Sequence, residues 1–175
     1  MNARSVTATR RQAVTGIAVT LGSFIASARL SAQQTSSAAS DNRPHATSLH
    51  QEIDLPAAPQ RVFDVLLDGK QFALVTGMSA VIDPNVGGAF KTFGGLIEGR
   101  NVEIIPAERI VQAWRETSWE AGFYSLVHFE LTAQGATTRL ALDQTGFHEG
   151  DFVHLSPGWP LRYWEPLKKY LTKHE

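Results

Sequence analysis

The side chains best suited to metal chemistry lie between His148 and His154, where two imidazoles and two carboxylates occupy seven residues. Imidazole nitrogens and carboxylate oxygens are accepted ligands of zinc and other divalent ions. The spacing matches neither a helical pair nor a finger pattern, and Gly150 lies inside the run. The run therefore predicts a solvated loop, with His148 and His154 as weak alternatives for a metal site. We expect no metal and no other cofactor.

Catalytic groups are scarce in the rest of the sequence. The absence of cysteine excludes disulfides, thiol nucleophiles and cysteine-ligated zinc. The glycine pairs complete no phosphate loop, and no Gly-x-Ser-x-Gly elbow is present. His128, Glu98 and Arg100 are the candidates for a polar group inside a cavity, although His128 is expected on the strand face opposite Val127 and Phe129. No catalytic residue is assigned, and a cavity enzyme of hydrolase or cyclase type is the third hypothesis.

Aromatic side chains offer a different chemistry, that of an apolar binding pocket. Small-molecule pockets are lined mainly by apolar and aromatic residues with a few polar groups. The alternative for each aromatic residue is packing in the core. Arg115 is expected to face solvent and pair with an acid such as Glu103, unless it anchors a ligand carboxylate. We expect a ligand cavity to be lined by Phe93, Trp114, Trp119, Phe129, Trp159 and Tyr163.

A sheet must position these residues. Alternating apolar residues predict an edge strand at 49–55, and two short helices follow at 59–68 and 70–75. Five or six antiparallel strands are then expected between residues 80 and 144. The pairs Gly87-Gly88 and Gly94-Gly95 are interpreted as bends or bulges of that sheet.

A sheet of this length needs a cover over its apolar face. Pro160 can open a helix after Gly158, and Pro166 inside it predicts a kink near Arg162. The helix carries an apolar stripe that recurs every four residues at Trp159, Tyr163, Leu167 and Leu171. The prediction is an α+β fold in which a curved antiparallel sheet of about six or seven strands wraps around a long C-terminal helix.

Short motifs follow one another along nearly all of residues 49–172. They include Phe63-Asp64-x-Leu66, Ile82-Asp83-Pro84, Phe93-Gly94-Gly95, Ile110-Val111-Gln112-x-Trp114-Arg115, Gln144-Thr145-Gly146 and Tyr163-Trp164-x-Pro166-Leu167. In this order they resemble the START-like, or SRPBCC, helix-grip superfamily and, within it, the domain of activators of heat-shock protein 90 ATPase. The resemblance implies a cavity between sheet and helix, often for apolar small molecules. It also implies a possible protein partner, because the co-chaperone members act on a cytosolic ATPase.

Residues 1–32 have the layout of an export signal. Arg10 and Arg11 precede a weakly apolar run, and small residues follow up to Ala32, the expected cleavage point. The arginine pair resembles a twin-arginine signal, and a general secretory signal is the alternative. The apolar run is shorter than the roughly 20 residues that span a bilayer. We expect an exported, periplasmic protein with no membrane span after signal removal.

Charge and composition exclude one class of partner. Without the four arginines of residues 1–32, the chain keeps 12 basic against 17 acidic residues, which leaves no electrostatic footprint for nucleic acid. Residues 33–48 are polar and small and predict a flexible linker, and residues 49–175 predict one domain. The first hypothesis is an exported domain that binds an apolar or amphipathic small molecule. The second is a protein-interaction module related to the co-chaperones.

Overall fold

The computed structural model describes residues 46–173 of the chain. The predicted export signal with Arg10 and Arg11, and the predicted linker up to residue 45, lie outside the described residues. Ser48, expected in the linker, is the first residue of a strand. The described residues form a seven-stranded antiparallel sheet, two short helices after the first strand and a long C-terminal helix, which confirms the predicted fold class.

The strands are β1 (Ser48–Leu55), β2 (Val81–Ile82), β3 (Ala89–Thr92), β4 (Ile97–Ile105), β5 (Arg109–Glu116), β6 (Ser125–Gln134) and β7 (Thr137–Thr145). The helices are α1 (Pro59–Leu67), α2 (Gly69–Thr76), α3 (Phe152–Trp159) and α4 (Glu165–Lys173), and a π-helical turn at Pro160–Trp164 joins the last two. Residues 152–173 together are called the C-terminal helix. Within residues 46–173, no helix is both long enough and apolar enough to cross a membrane.

The sheet runs in the order β1-β7-β6-β5-β4-β3-β2, so that β1 and β2 form its edges. Alternation along β6 and β7 turns Val127, Phe129, Leu140 and Leu142 toward the core, where each is almost fully buried. Since these positions pack against the C-terminal helix, the period of two in the sequence sets which face of the sheet is covered.

Glycine at position 99 permits a close approach within the sheet. Gly99 pairs with Phe90 on one side and with Trp114 on the other. A Cβ atom there would lie 2.0 Å from the Ala113 carbonyl oxygen and 2.4 Å from the Phe90 ring. Real side chains do not tolerate such distances, so the absence of a side chain lets the Phe90 ring lie across β4.

The C-terminal helix begins at Phe152, so the predicted start at Pro160 is wrong. The Asp151 carbonyl accepts the backbone N–H groups of His154 and Leu155 at 3.1 and 2.9 Å and opens the helix there. Pro157 and Gly158, which are ordinarily helix breakers, lie inside α3. His154, expected in a solvated loop, is therefore on the first turn of a helix.

The kink expected near Arg162 takes the form of the π-helical turn. The Glu165 N–H donates to the Pro160 carbonyl, which widens the turn by one residue. Pro160 has no N–H to offer the Ser156 carbonyl, and the side-chain amide of Gln51 on β1 donates to that carbonyl instead, at 2.7 Å. Gln51 also accepts from the Trp164 indole at 2.8 Å, so β1 ties down the irregular part of the helix.

Candidate functional site

A cavity of about 250 Å³ opens between the C-terminal helix and the adjoining ends of β4 and β5. Its apolar wall is formed by Phe93, Leu96, Ile97, Trp114, Leu155, Trp159 and Tyr163. Its remaining lining, Glu116, Thr117, Ser118, His154, Gly158 and Arg162, is polar except for the glycine. An apolar cavity of about 150 Å³ is large enough to hold benzene, so this one has room for a somewhat larger molecule.

Four of the six residues predicted to line a cavity are brought together here: Phe93, Trp114, Trp159 and Tyr163. Their rings pack edge to face or tilted, with centroids 4.9 Å apart for Phe93 and Tyr163, 4.3 Å for Trp159 and Tyr163, and 5.9 Å for Trp114 and Trp159. This packing holds the wall in one shape. Whether these residues bind a ligand stays a prediction.

The other two predicted residues do not line this cavity. Trp119 packs against the Trp114 ring, with centroids 5.6 Å apart, and supports the wall from outside. Phe129 lies deeper, 5.8 Å from the Trp159 ring, beside a separate void of about 20 Å³ that Tyr163 also borders. That void has room for about one water molecule. Aromatic rings thus fill the centre of the domain, and the space for a ligand lies at one end of it.

A buried chain of hydrogen bonds fixes the two tryptophans of the wall. The Trp159 indole donates to Gln144 Oε1 at 2.8 Å, the Gln144 amide donates to Ser125 Oγ at 3.0 Å, and that hydroxyl donates to the Trp114 carbonyl at 3.0 Å. Gln144 and Ser125 have no exposed surface. Sequence reasoning did not assign them to the site. The available signal was a glutamine and a serine on the inward-facing positions of β7 and β6.

The Tyr163 hydroxyl is the deepest polar atom of the wall. It accepts a hydrogen bond from the Trp114 indole at 3.5 Å. Burial raises the pKa of Tyr163 well above its ordinary value of 10.0, and the hydrogen bond from the Trp114 indole opposes this less strongly. The phenol therefore keeps its proton at neutral pH. It can hydrogen-bond a ligand but cannot serve as a base.

A carboxylate and an imidazole meet at the rim of the cavity. Glu116 Oε1 lies 3.1 Å from His154 Nε2, and Glu116 Oε2 accepts from the Ser118 hydroxyl at 3.3 Å. A serine nucleophile needs the imidazole next to its hydroxyl. Here the carboxylate stands between the two, so the arrangement does not activate Ser118. It instead attaches α3 to the end of β5.

The polar candidates for cavity chemistry lie outside the cavity. Glu98 and Arg100 are on the outer face of β4, where Glu98 is 3.5 Å from Lys91 and Arg100 donates to the Gly87 carbonyl at 3.0 Å. His128 is on the outer face of β6, opposite Val127 and Phe129, as the alternation predicts. None of the three lines the cavity.

Arg115 pairs with an acid, as predicted, but the prediction that it faces solvent is wrong. Its side chain is 9% exposed, and its Nε atom lies 3.4 Å from Glu98 rather than near Glu103. Its other nitrogens donate to the carbonyls of Glu120 and Thr117 at 3.0 and 3.3 Å. The β5–β6 loop thus wraps around the guanidinium, and Glu103 pairs with Arg109 instead, at 3.6 Å.

The two weak metal candidates have separate partners. The His148 ring stacks on Phe123, with centroids 3.8 Å apart, and its Nε2 atom is 3.1 Å from Glu120. His154 is held by Glu116, as described above. Among residues 46–173, no group of three or more histidine, cysteine, aspartate or glutamate side chains is arranged to hold a metal ion.

Two surface grooves are larger than the cavity but shallower. One, of about 680 Å³, runs between α2 and the C-terminal helix past Leu74, Leu161 and Tyr170. The other, of about 870 Å³, lies beside α1 and α2. Ligand sites generally enclose most of the bound molecule, so the aromatic-walled cavity is the better site for a small molecule.

Comparison with known proteins agrees with this architecture. The family model for "Activator of Hsp90 ATPase homolog 1-like protein" matches residues 56–172, which is more than half of the chain. The chain belongs to this family. The match confirms the resemblance on which the fold was predicted.

The relatives with curated descriptions are much longer than the matched region. The activator of 90 kDa heat shock protein ATPase homolog of Dictyostelium discoideum is 26% identical over 127 residues, which cover 72% of this chain and 33% of that protein. Homolog 1 of Homo sapiens is 22% identical over 112 residues, which cover 64% of this chain and 33% of that protein. The chain therefore corresponds to about a third of the length of these relatives.

Two solved structures illustrate the similarity of fold. An Hsp90 activator from Plasmodium falciparum has a TM-score of 0.68 and 24% identity, with 73% of this chain and 97% of that chain covered. The Aha1 dimer from Colwellia psychrerythraea has a TM-score of 0.62 and 17% identity, with 72% and 96% covered. At these identities the likeness shows a shared helix-grip fold and nothing more about function.

Proposed function

We propose that this member of the Hsp90-activator-like family binds a small apolar or amphipathic molecule in the aromatic-walled cavity. The observation that carries the proposal is a space of about 250 Å³ left open among rings that otherwise fill the core. An unfilled apolar cavity forfeits contacts that a ligand can restore. The charged groups of the lining lie at its rim, and the Tyr163 hydroxyl in the wall is already engaged by the Trp114 indole. A bound molecule therefore keeps its apolar part inside and any charged part near solvent.

Gly158 provides a selective test of the cavity. It lies on the helical side of the lining, and a Cβ atom added there meets no atom within 4 Å. A side chain at this position can therefore start without displacing the backbone or its neighbours, and Gly158→Leu is expected to occupy part of the cavity. Replacing a glycine inside a helix also favours the helix by up to about 1 kcal/mol. The variant is expected to be at least as stable as the parent chain while losing ligand.

The experiment compares the full-length chain, Gly158→Leu and the matched control Gly158→Ala. Native mass spectrometry of each purified protein shows whether it carries a molecule, and the Tm is measured with and without 1-octanol. The parent and Gly158→Ala are expected to respond to 1-octanol, and Gly158→Leu is not. Equal responses in all three proteins would contradict binding in this cavity, as would no response in any of them.

We also propose that the protein works after export, directed out of the cytosol by its first 32 residues. Support comes from the Arg10-Arg11 pair, the weakly apolar run behind it and the small residues up to Ala32. Fusing residues 1–32 to a reporter and fractionating the cells tests this directly. Recovery of the reporter in the cytosolic fraction alone would count against export.

A protein partner is the second candidate, favoured by the family and by one surface feature. Leu74 and Leu161 are 72% and 71% exposed and border the same groove between α2 and the C-terminal helix. Exposed apolar side chains along a groove are common at protein interfaces. This candidate ranks second because an exported chain would not meet a cytosolic ATPase.

The ATPase activity of Hsp90 separates the two candidates. If the chain is a co-chaperone-like module, it stimulates that activity, Leu74→Asp with Leu161→Asp abolishes the stimulation, and Gly158→Leu leaves it intact. If the function lies in the cavity instead, the full-length chain and the Leu74→Asp, Leu161→Asp variant give the same Hsp90 ATPase activity.

A further inference from the structure

One charged side chain at the cavity is not engaged by the protein. Arg162 lines the cavity and is exposed at its rim. Among residues 46–173, no hydrogen bond or ion pair of its guanidinium is found. The described arginines at 109, 115 and 139, by contrast, all pair with carboxylates. Arg162 therefore keeps five N–H donors available at the edge of an apolar space.

The other charged groups at the rim are occupied. Both carboxylate oxygens of Glu116 have partners, His154 on one side and Ser118 on the other. A cationic head group would share the Glu116 carboxylate with His154 and Ser118, and a hydroxyl could offer Arg162 only a neutral acceptor. An anionic head group has a partner in Arg162 that needs no rearrangement, since a planar guanidinium binds carboxylate and phosphate through two parallel hydrogen bonds.

The position of Arg162 follows from the π-helical turn. The wide turn buries Tyr163 and Trp164 next to each other, while Leu161 and Arg162 remain outside. Tyr163 thus forms part of the apolar wall, and the preceding residue places a cation at the mouth. Bulges of this type are frequent at functional sites.

We propose that the ligand is an amphipathic anion, whose short apolar body occupies the cavity and whose acidic head group binds Arg162. This inference rests on the proposed small-molecule function and names the class of ligand. It also explains how a chain with excess acidic residues holds an anion, since the attraction comes from one local cation rather than from net charge.

The test compares head groups on one apolar chain. Octanoate, octyl phosphate, 1-octanol and octylammonium are titrated at pH 7 into the full-length chain, and binding is followed by the fluorescence of the cavity tryptophans. We expect both anions to bind about fivefold more tightly than 1-octanol, the upper range for a solvent-exposed ion pair. The advantage is expected to shrink at high salt. Their order shows which acidic group Arg162 prefers.

Three variants locate the effect. Arg162→Gln is expected to remove the advantage of the anions while 1-octanol binds as before. Arg162→Lys, which keeps the charge but not the planar fork, is expected to retain part of it. Lys169→Gln, at an exposed position of the same helix outside the cavity, is the matched control and changes neither. Thermal melts of all three confirm that they fold.

The outcomes separate the two levels of the proposal. If 1-octanol and the anions bind equally, or Arg162→Gln weakens all probes alike, the anion proposal is overturned and the cavity function stands. If no probe binds the parent chain or changes its Tm, both are overturned. A preference for octylammonium would also overturn the anion proposal.

Discussion

Gln144 is the residue on which the shape of the cavity wall depends most. Its side chain is fully buried and uses its oxygen for the Trp159 indole and its nitrogen for Ser125. Gln144 on β7 therefore connects the C-terminal helix with β6 through two buried hydrogen bonds. Each buried polar group that is left without a partner costs about 1–3 kcal/mol of folding free energy. The hydrogen bonds of Gln144 therefore stabilise the fold only while all of their partners are present.

Substitution of Gln144 should therefore lower the free energy of unfolding. The additional loss should be smaller when Trp159, its partner, has already been replaced. Gln144→Leu leaves the Trp159 indole N–H without an acceptor and removes the donor to the Ser125 hydroxyl, which keeps its bond to the Trp114 carbonyl. The variant is expected to lower the free energy of unfolding by about 1–3 kcal/mol. Adding Trp159→Phe removes one orphaned donor, so the double variant should lose less than the sum of the single variants. Urea unfolding of the four proteins measures this cycle. Strict additivity would show that the two side chains do not depend on each other.

His50, on the outer face of the sheet, makes a pH-dependent contribution to the stability of the folded state. Its Nδ1 atom is 2.7 Å from Asp143 and its Nε2 atom 3.7 Å from Glu52, which Arg139 also contacts at 3.7 Å. The hydrogen bond to Asp143 is the main cause that raises the pKa of His50 above 6.5, against a smaller lowering by desolvation. The folded state therefore binds this proton more tightly than the unfolded state does.

The sign of the effect follows from that difference. The contribution of His50 is complete below about pH 6.5 and is lost as the pH rises through the folded pKa. Because the site is half exposed, it amounts to at most about 1 kcal/mol. The Tm difference between the parent and His50→Gln should be largest at about pH 5.5 and vanish at about pH 8.5. Asp143→Asn should remove the same pH dependence; a gap that widens with pH would contradict the assignment.

The π-helical turn allows the large buried residues of the C-terminal helix to face the core. Tyr163, Trp164 and Leu167 follow Trp159 by four, five and eight residues, and all are buried. An ordinary α-helix does not place these spacings on one narrow face. The widened turn takes up one extra residue, and Pro166, which lacks an N–H, removes one α-helical bond in its favour.

A deletion tests this explanation. Removing Leu161 brings Tyr163, Trp164 and Leu167 to three, four and seven residues after Trp159, the spacing of an α-helical face. Combined with Pro166→Ala, the deletion is expected to leave a regular helix with the core intact and a Tm close to that of Pro166→Ala alone. Removing Lys169 in the same background moves Leu171 from four to three residues after Leu167, which turns it by about 100° toward the edge of the buried face. This deletion should cost up to about 2–5 kcal/mol as Leu171 loses burial. Equal losses from the two deletions would contradict the role of the turn.

Local patterns account for most of the elements predicted from the sequence. Alternation along β6 and β7 depends only on which face of the strand is buried, so it can be read without knowing the partner. The start of the C-terminal helix was not predicted because Pro157 and Gly158 are local breakers, whereas burial of Leu155 and Trp159 favours the helix across them. Tertiary packing outweighs propensity at this point.

The candidate site was predicted in part for a similar reason. The apolar stripe of the C-terminal helix can be predicted from the spacing of its residues. That spacing alone was enough to assign Trp159 and Tyr163 to the cavity wall. The contact between His154 and Glu116 joins residues 38 positions apart, and Gln144 meets Trp159 across the domain interior. Such pairings depend on how the helix lies across the sheet. The sequence contains no local signal for that arrangement.

The chain combines a helix-grip unit at residues 48–173 with a proposed export signal at residues 1–32. Its family match occupies residues 56–172, and the sheet order joins the first strand to the last, β1 to β7. Because that pairing joins residues 48–55 to residues 138–145, the full sheet forms only after the segment from β1 to β7 has been made. A pathway that carries folded proteins suits such a topology better than one that carries extended chains.

The arginine pair should therefore control where the folded protein is found. Replacing Arg10 and Arg11 with lysine keeps the charge of the signal but removes the twin-arginine feature. The variant is expected to remain in the cytosolic fraction, fully folded and with the same response to 1-octanol as the exported parent, since neither residue belongs to the domain. If the lysine variant is exported as efficiently as the parent, the signal is of the general secretory type and the chain crosses the membrane before it folds. If neither protein leaves the cytosol, the location argument against a co-chaperone-like role is removed.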